Sequence, residues 1–317
     1  MSAQKPSCVV LGGSGFIGTN LCRRLFASGH RVRAFGRDRR FPDDLRGVEW
    51  YQGDFTDPDS VAAAIESFDI VFHLVHGAMP QAANLAMAID VQQNIIPSIT
   101  LLNLCVQLRV KRVIFSSSGG TIYGCSQQIP TTEAAPTNPI CAYGINKLTI
   151  EKYLALYEHL HSLDFRILRI ANPFGPLQIP WRGQGFIAAA VSRALRGQPI
   201  EIWGDGSVVR DFVFIDDVID AFEAAMADIS NSRIFNIGTS EGRSLNDVIA
   251  VIERLLDAKL NIKWAHGRSL DIPVSVVAID RALEILKWQP KTDFEIGLAT
   301  TIEWTRRNRS EIDKLYR

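Results

Sequence analysis

Seven residues near the N-terminus, Gly12-Gly13-Ser14-Gly15-Phe16-Ile17-Gly18, constrain the fold of this chain more than any other feature. They follow an apolar run, Cys8 to Gly12, and lead into a segment of helical period, Phe16 to Ser28. Glycines at this spacing let the chain turn tightly out of a strand and bring its backbone close to a pyrophosphate. The amides and dipole at the helix N-terminus receive that charge. A glycine-rich turn can also exist without a ligand, but the strand before it and the helix after it favour a dinucleotide site. Gly12, Gly15, Phe16, Ile17 and Gly18 are therefore candidate cofactor contacts.

Beyond this loop, short apolar runs alternate with longer helical segments, which predicts an α/β fold, a Rossmann-type doubly wound parallel sheet with helices on both faces. Strands are predicted at Cys8 to Gly12, Arg31 to Phe35, Val48 to Gln52, Ile70 to Leu74, Arg112 to Ser116 and Phe165 to Ile170. Helices are predicted at Phe16 to Ser28, Ser60 to Ser67, about Ala88 to Gln107, and Tyr143 to His161, with a local kink at Pro97. After Arg169 the chain becomes rich in proline, glycine and aromatic residues, which marks the start of a smaller C-terminal substrate lobe. The expected division gives residues 1–171, rejoined by 212–240, to a dinucleotide-binding domain, and 172–211 with 241–317 mainly to the substrate lobe.

The 34 basic and 34 acidic side chains cancel, so no long-range field recruits nucleic acid or an anionic membrane. An anionic ligand must meet local basic groups instead. The five cysteines form no CxxC pair and no metal-ligand spacing with the six histidines, as expected of reduced, packed thiols in the cytoplasm. Apolar stretches are broken well short of a membrane span, and the first residues lack the apolar segment of a signal peptide.

Selection between NAD and NADP normally falls at the end of the second strand, where an acidic side chain holds the ribose hydroxyls. Here Gly36 takes that place and Arg37 follows, so NADP or relaxed choice is open beside NAD, as is a plain solvated basic turn. Asp54, after the third strand, is placed to touch an adenine or to cap a turn.

Tyr143 and Lys147 stand four residues apart on a predicted helix, hence on one face. A neighbouring ammonium favours the phenolate, so the expectation is a tyrosine with lowered pKa acting as proton acceptor. Ser116-Ser117-Ser118, at the end of a predicted strand, offers a hydroxyl for the same substrate oxygen, from Ser117 or Ser118.

Taken together these residues resemble the extended short-chain dehydrogenases/reductases, and within them the UDP-glucose 4-epimerase-like sugar-nucleotide enzymes. The likeness rests on the glycine loop, Gly53-Asp54-Phe55, Phe72-His73-Leu74, the serine run before Tyr123-Gly124, Tyr143-x-x-x-Lys147 and Arg169-x-x-Asn172-Pro173-x-Gly175. It continues through Trp203-Gly204-Asp205-Gly206, Arg210-Asp211-Phe212, Asp216-Asp217-Val218 and Arg268-x-x-Asp271. The resemblance implies Tyr143 as base, Lys147 as its partner and nicotinamide-ribose anchor, and Ser118 as helper hydroxyl. It adds Phe55 and Leu74 to the cofactor contacts. For the substrate it implies Asn172, Arg210 and Arg268 around a nucleotide diphosphate, Trp203 against the base and Asp271 on the ribose. Forked arginine donors suit phosphate oxygens.

The reaction implied by the resemblance is epimerisation at C4 of a nucleotide sugar, a UDP-hexose or UDP-N-acetylhexosamine, by transient oxidation with a bound nicotinamide cofactor. Gly119-Gly120 makes the serine motif one residue longer than the common epimerase version and supplies none of the acidic residues expected of a 4,6-dehydratase or a UDP-glucuronate decarboxylase. An NADPH-dependent 4-keto reductase and a non-catalytic dinucleotide sensor are the rival readings. Ser275 falls where the family gates sugar size and leaves room for an N-acetyl group. A homodimer packed through the two long helices is also implied.

Overall fold

The computed structural model describes residues 5–77, 84–180, 185–267 and 272–315. At its centre is a seven-stranded sheet in the order β11-β6-β5-β4-β1-β2-β3, every neighbouring pair parallel. The strands are β1 Cys8–Leu11, β2 Val32–Gly36, β3 Glu49–Gln52, β4 Ile70–His73, β5 Arg112–Ser118, β6 Asp164–Ile170 and β11 Ile234–Ile237. Helices Phe16–Ala27, Pro58–Ile65, Met87–Gln107 and Ala142–His161 connect them. The doubly wound sheet expected from the alternating apolar runs is what forms.

Central strands of such a sheet are covered on both faces and therefore read as unbroken apolar runs rather than alternating ones. All four residues of β1 and of β4 are buried, whereas the edge strand β3 leaves Glu49 and Gln52 exposed. Phe72 on one face meets Phe222 edge to face at 6.0 Å, and Phe115 lies in the second apolar layer with Leu101 and Ile150. The helix Met87–Gln107 continues through Pro97, with the Ser98 hydroxyl donating to the Asn94 carbonyl at 2.6 Å in the turn where proline removes an amide.

The strand order reverses between β1 and β4: from β1 the chain winds outward to β2 and β3, and from β4 the other way to β5, β6 and β11. In open α/β sheets that switch point, at the carboxyl ends of the strands, is where a crevice opens for ligands. Beside β6 the chain builds short pairings: β7 (Asn172–Phe174) with β10 (Phe212–Phe214), β8 (Ile200–Trp203) with β13 (Ile262–Ala265), and β9 (Val209–Arg210) between β12 (Arg243–Ser244) and β14 (Val274–Ser275). Phe174, Phe214 and Phe294 pack as an aromatic group with centroids 5.5 to 5.6 Å apart, which ties these strands to the helix Phe294–Arg307.

Candidate active site

The glycine loop leaves β1 at the switch point. Gly12 has a φ of +87°, a left-handed value that suits glycine, and a Cβ there would also lie 3.3 Å from the backbone of Leu74 and Val75 after β4. At Gly18 a Cβ would fall 2.1 Å from the Gly12 carbonyl oxygen, so helix and turn meet closely only because a side chain is missing. The helix Phe16–Ala27 begins at Gly15 with no side-chain cap and no acidic residue in its first turn. Its first intrahelical bond is Thr19 N–H to the Gly15 carbonyl at 2.8 Å, which leaves the amides of Phe16, Ile17 and Gly18 for another acceptor. An uncapped helix end with unopposed amides, reached by backbone without side chains, fits a dinucleotide pyrophosphate.

Gly36 ends β2, and a Cβ there would approach the Ser14 hydroxyl to 3.0 Å and the Trp50 ring to 3.3 Å. A side chain at this position would therefore crowd Ser14 and Trp50, a packing reason for glycine there. Arg37 is exposed. The Asp54 carboxylate accepts from the Thr56 amide at 2.8 Å and its hydroxyl at 2.7 Å, bonds that together with the nearby Arg37 hold its pKa below the ordinary value. One Asp54 oxygen thus serves the turn. Phe55 is buried against the His73 ring at 5.0 Å, and Leu74 is half-buried beside Gly12.

Ser116, Ser117 and Ser118 all belong to β5, which runs two residues further than expected. The Ser117 hydroxyl donates to Glu151 at 2.6 Å and is committed inward, whereas Ser118 accepts from the Thr121 hydroxyl at 2.9 Å. Thr121 in turn lies against Gly144, where an added Cβ would come within 2.9 Å of its carbonyl. The helix Ala142–His161 carries Tyr143 half-buried and Lys147 buried, with the Lys147 ammonium donating to the Ser116 carbonyl at 2.8 Å. The serine strand and the tyrosine helix are thus joined at three points.

The electrostatics reverse one expectation. The Lys147 nitrogen lies 5.8 Å from the Tyr143 ring centroid and 4.8 Å from that of Phe115, in an apolar pocket. Burial pushes its pKa down to about 7, against the pull of Glu151 and Asp90. Tyr143 is not acidified: burial, with Cys141 and Asp90, drives its pKa up. Desolvation of both groups outweighs their mutual effect. The phenol rests protonated.

Beneath the serines lies a network assembled from segments far apart in the chain. Arg169 grips Glu151 with two hydrogen bonds, 3.0 and 2.6 Å, and donates to the Tyr123 hydroxyl at 2.9 Å; Tyr123 donates to Asn236 at 2.6 Å. Glu151 and Arg169 are 2% and 3% exposed, so this is a buried pair whose parts depend on one another. Glu151 stands four residues after Lys147 on the same helix, the one sequence signal of its place.

In the smaller layer, the Asn172 side-chain amide donates to the Asp211 carbonyl at 3.1 Å. Arg210, on β9, donates to the carbonyls of Val209 at 2.9 Å and Ile272 at 2.6 Å. Trp203 ends β8 and is 40% exposed. Ser275 pairs in register with Arg210, and its hydroxyl would be 3.9 Å from a Cβ at Gly120. The β14 segment therefore abuts the turn after Ser118. Arg268 and Asp271 lie outside the described residues. Cys8, Cys22 and Cys105 are buried, and Cys125 and Cys141 are free thiols like them. Among the described residues no His/Cys/Asp/Glu group is arranged to hold a metal, and no helix is long and apolar enough to cross a membrane.

A parallel sheet wound in this order and opened by such a glycine turn is a dinucleotide-binding architecture, and the protein is of that class. Its sequence narrows the class: residues 8–238 match the NAD dependent epimerase/dehydratase family, and the chain belongs to that family. NAD is accordingly its cofactor. The chain is 32% identical over 311 residues to the UDP-glucose 4-epimerase of Mycolicibacterium smegmatis, covering 96% of this chain and 99% of that protein. Among solved structures it resembles the UDP-glucose 4-epimerase of Thermotoga maritima, determined with UDP-glucose, at a TM-score of 0.91 and 33% identity over 96% of this chain and 99% of that one. It also resembles the Thermus thermophilus UDP-glucose 4-epimerase, determined with NAD, at a TM-score of 0.88 and 28% identity over 95% and 99% of the two chains.

Proposed function

We propose that the protein is a UDP-sugar 4-epimerase that oxidises C4 of its substrate transiently and accepts N-acetylhexosamine as well as hexose nucleotides. The observation that carries this reading is the join between serine strand and tyrosine helix: Lys147 to Ser116 at 2.8 Å, and Ser118 to Thr121, which packs on Gly144. That join lies at the carboxyl ends of the strands, where the glycine loop also opens.

In this reading Tyr143 accepts the proton of the sugar 4-hydroxyl and later returns it, and Ser118 holds the same oxygen. Lys147 anchors the nicotinamide ribose and, when charged, stabilises the phenolate. NAD, held by the glycine loop and Lys147, would supply the reversible hydride acceptor that this oxidation at C4 requires. Asn172, Arg210 and Arg268 hold the diphosphate, Trp203 lies against the base and Asp271 on its ribose. Residues 1–171 and 212–240 bind the dinucleotide, and 172–211 with 241–317 bind the nucleotide sugar.

Ser275 supports the wider substrate range, because β14 abuts the turn after Ser118 and a hydroxymethyl group leaves space there. The long helices expose Ile89, Ile96, Ile145, Leu156 and Leu160, each more than 40% accessible, which supports a homodimer seam between them. The compartment proposed is the cytoplasm.

The test is to denature the purified protein, identify released nucleotide by mass spectrometry, and assay UDP-glucose and UDP-N-acetylglucosamine. Retained NAD with interconversion of 4-epimers is expected. Turnover that consumes added NADPH would replace the proposal with the 4-keto reductase, and unchanged turnover after Tyr143→Phe would remove Tyr143 as the base. Turnover of UDP-glucose alone would remove the role of Ser275.

A further inference from the structure

Behind Tyr143 lies a buried polar cluster that the proposed reaction does not use. Asp90 is 1% exposed. One of its carboxylate oxygens accepts from the Asn94 amide at 2.7 Å and the other from the Asn146 amide at 2.5 Å. Asn94 accepts from the Gly77 backbone amide at 2.7 Å, so the cluster ties the segment after β4 to both long helices. His76 completes it. Its ring meets Tyr143 edge to face, centroids 4.4 Å apart and planes at 71°, and its Nε2 stands 3.9 Å from the Asp90 carboxylate.

The His76 side chain is only 10% exposed, yet neither ring nitrogen has a hydrogen-bond partner among the described residues. A buried polar group left unpaired costs about 1 to 3 kcal/mol, so the imidazole is built to meet something. Asp90 is the carboxylate that faces Nε2, and when ionised it accepts but cannot donate, which favours the ring proton on Nε2. That leaves Nδ1 as an acceptor. Burial, reinforced by Lys147 and His73, pushes the imidazole pKa down to about 2, so the neutral ring is the resting form.

Position indicates the donor. His76 lies three residues past β4, directly after the Leu74 and Val75 backbone that meets Gly12 of the glycine loop, and close enough to Lys147 to feel its charge. We propose that His76, with its tautomer set by Asp90, accepts a hydrogen bond at Nδ1 from a hydroxyl or amide of the nicotinamide-ribose half of the bound dinucleotide. This rests on the NAD-dependent reading above. His76 is then a cofactor-binding residue, and Asp90, Asn94 and Asn146 position it.

The test uses nucleotide-stripped protein titrated separately with NAD and with UDP. His76→Phe keeps a ring against Tyr143 and removes both nitrogens; loss of one net hydrogen bond should raise the NAD Kd about three- to tenfold. The UDP Kd and the melting temperature of the stripped protein should not worsen. Should this variant fail to fold, His76→Gln and His76→Met make the same comparison, with glutamine binding NAD more tightly than methionine. An unchanged NAD Kd, or a loss confined to UDP, overturns the proposal. A wild-type protein that binds no dinucleotide would instead overturn the proposed function, and this inference with it.

Discussion

Lys147 should destabilise the protein that it serves. Its pKa falls from the ordinary 10.5 to about 7 in the folded chain, because the ammonium is buried. The unfolded chain therefore binds this proton more tightly, and protonation favours unfolding below pH 10.5. A difference of this size corresponds to a penalty of about 5 kcal/mol once the pH is below both values, at about 1.4 kcal/mol per pKa unit. Lys147→Met keeps an unbranched chain in the pocket and removes the charge, at the loss of the 2.8 Å bond to Ser116, which is worth about 1 kcal/mol. Allowing for that bond and for a lysine only half protonated in the folded chain at this pH, the variant should be about 3 kcal/mol more stable at pH 7. With about 2.1 cal/mol/K of unfolding entropy per residue, that raises Tm by about 4 °C.

The pH dependence makes the argument specific. Stability contributed by this group rises with pH between about 7 and 10.5, so the advantage of Lys147→Met is full below pH 7 and shrinks above it by up to about 1.4 kcal/mol per pH unit. Urea unfolding of nucleotide-stripped wild type and variant at pH 6, 7, 8 and 9 measures it. A variant less stable than wild type at pH 6, or a difference that does not change with pH, would refute the reasoning. The same variant should lose epimerase activity, the usual cost of placing a charged group in an apolar site for function.

Tyr143→Phe should lower turnover by about 10²- to 10⁴-fold while still binding NAD, as read by steady-state kinetics and by the nucleotide released on denaturation. Gly18→Ala places a methyl group 2.1 Å from the Gly12 carbonyl oxygen; it should displace the loop and abolish NAD retention, whereas a protein that still copurifies with NAD would show the turn to be dispensable. Glu151→Ala strands Arg169 and Ser117 without their partner and should cost about 3 to 5 kcal/mol in denaturant unfolding; a cost below about 1 kcal/mol would show that water repairs the gap.

The parallel sheet, the place of the glycine loop and the helical pairing of Tyr143 with Lys147 were all readable from order along the chain, since strand period, helix period and glycine spacing are local properties. Gly36 was readable only as an absent acid; its tight packing against Ser14 and Trp50 comes from segments 22 and 14 residues away. That Ser117 rather than Ser118 is committed inward likewise depends on Glu151, 34 residues further on.

What the sequence determined by itself, then, was the class of chemistry, because the residue types that meet a pyrophosphate or share a proton must recur at fixed spacing. Only the tertiary structure decided the charge states. Tyr143 was expected to be acidified by Lys147, as a neighbouring ammonium does in water, yet burial raises the pKa of the phenol and lowers that of the ammonium. The His76, Asp90 and Asn146 cluster has no spacing rule at all; three segments bring it together, and the cost of leaving polar groups unpaired in an apolar interior is what gives it meaning.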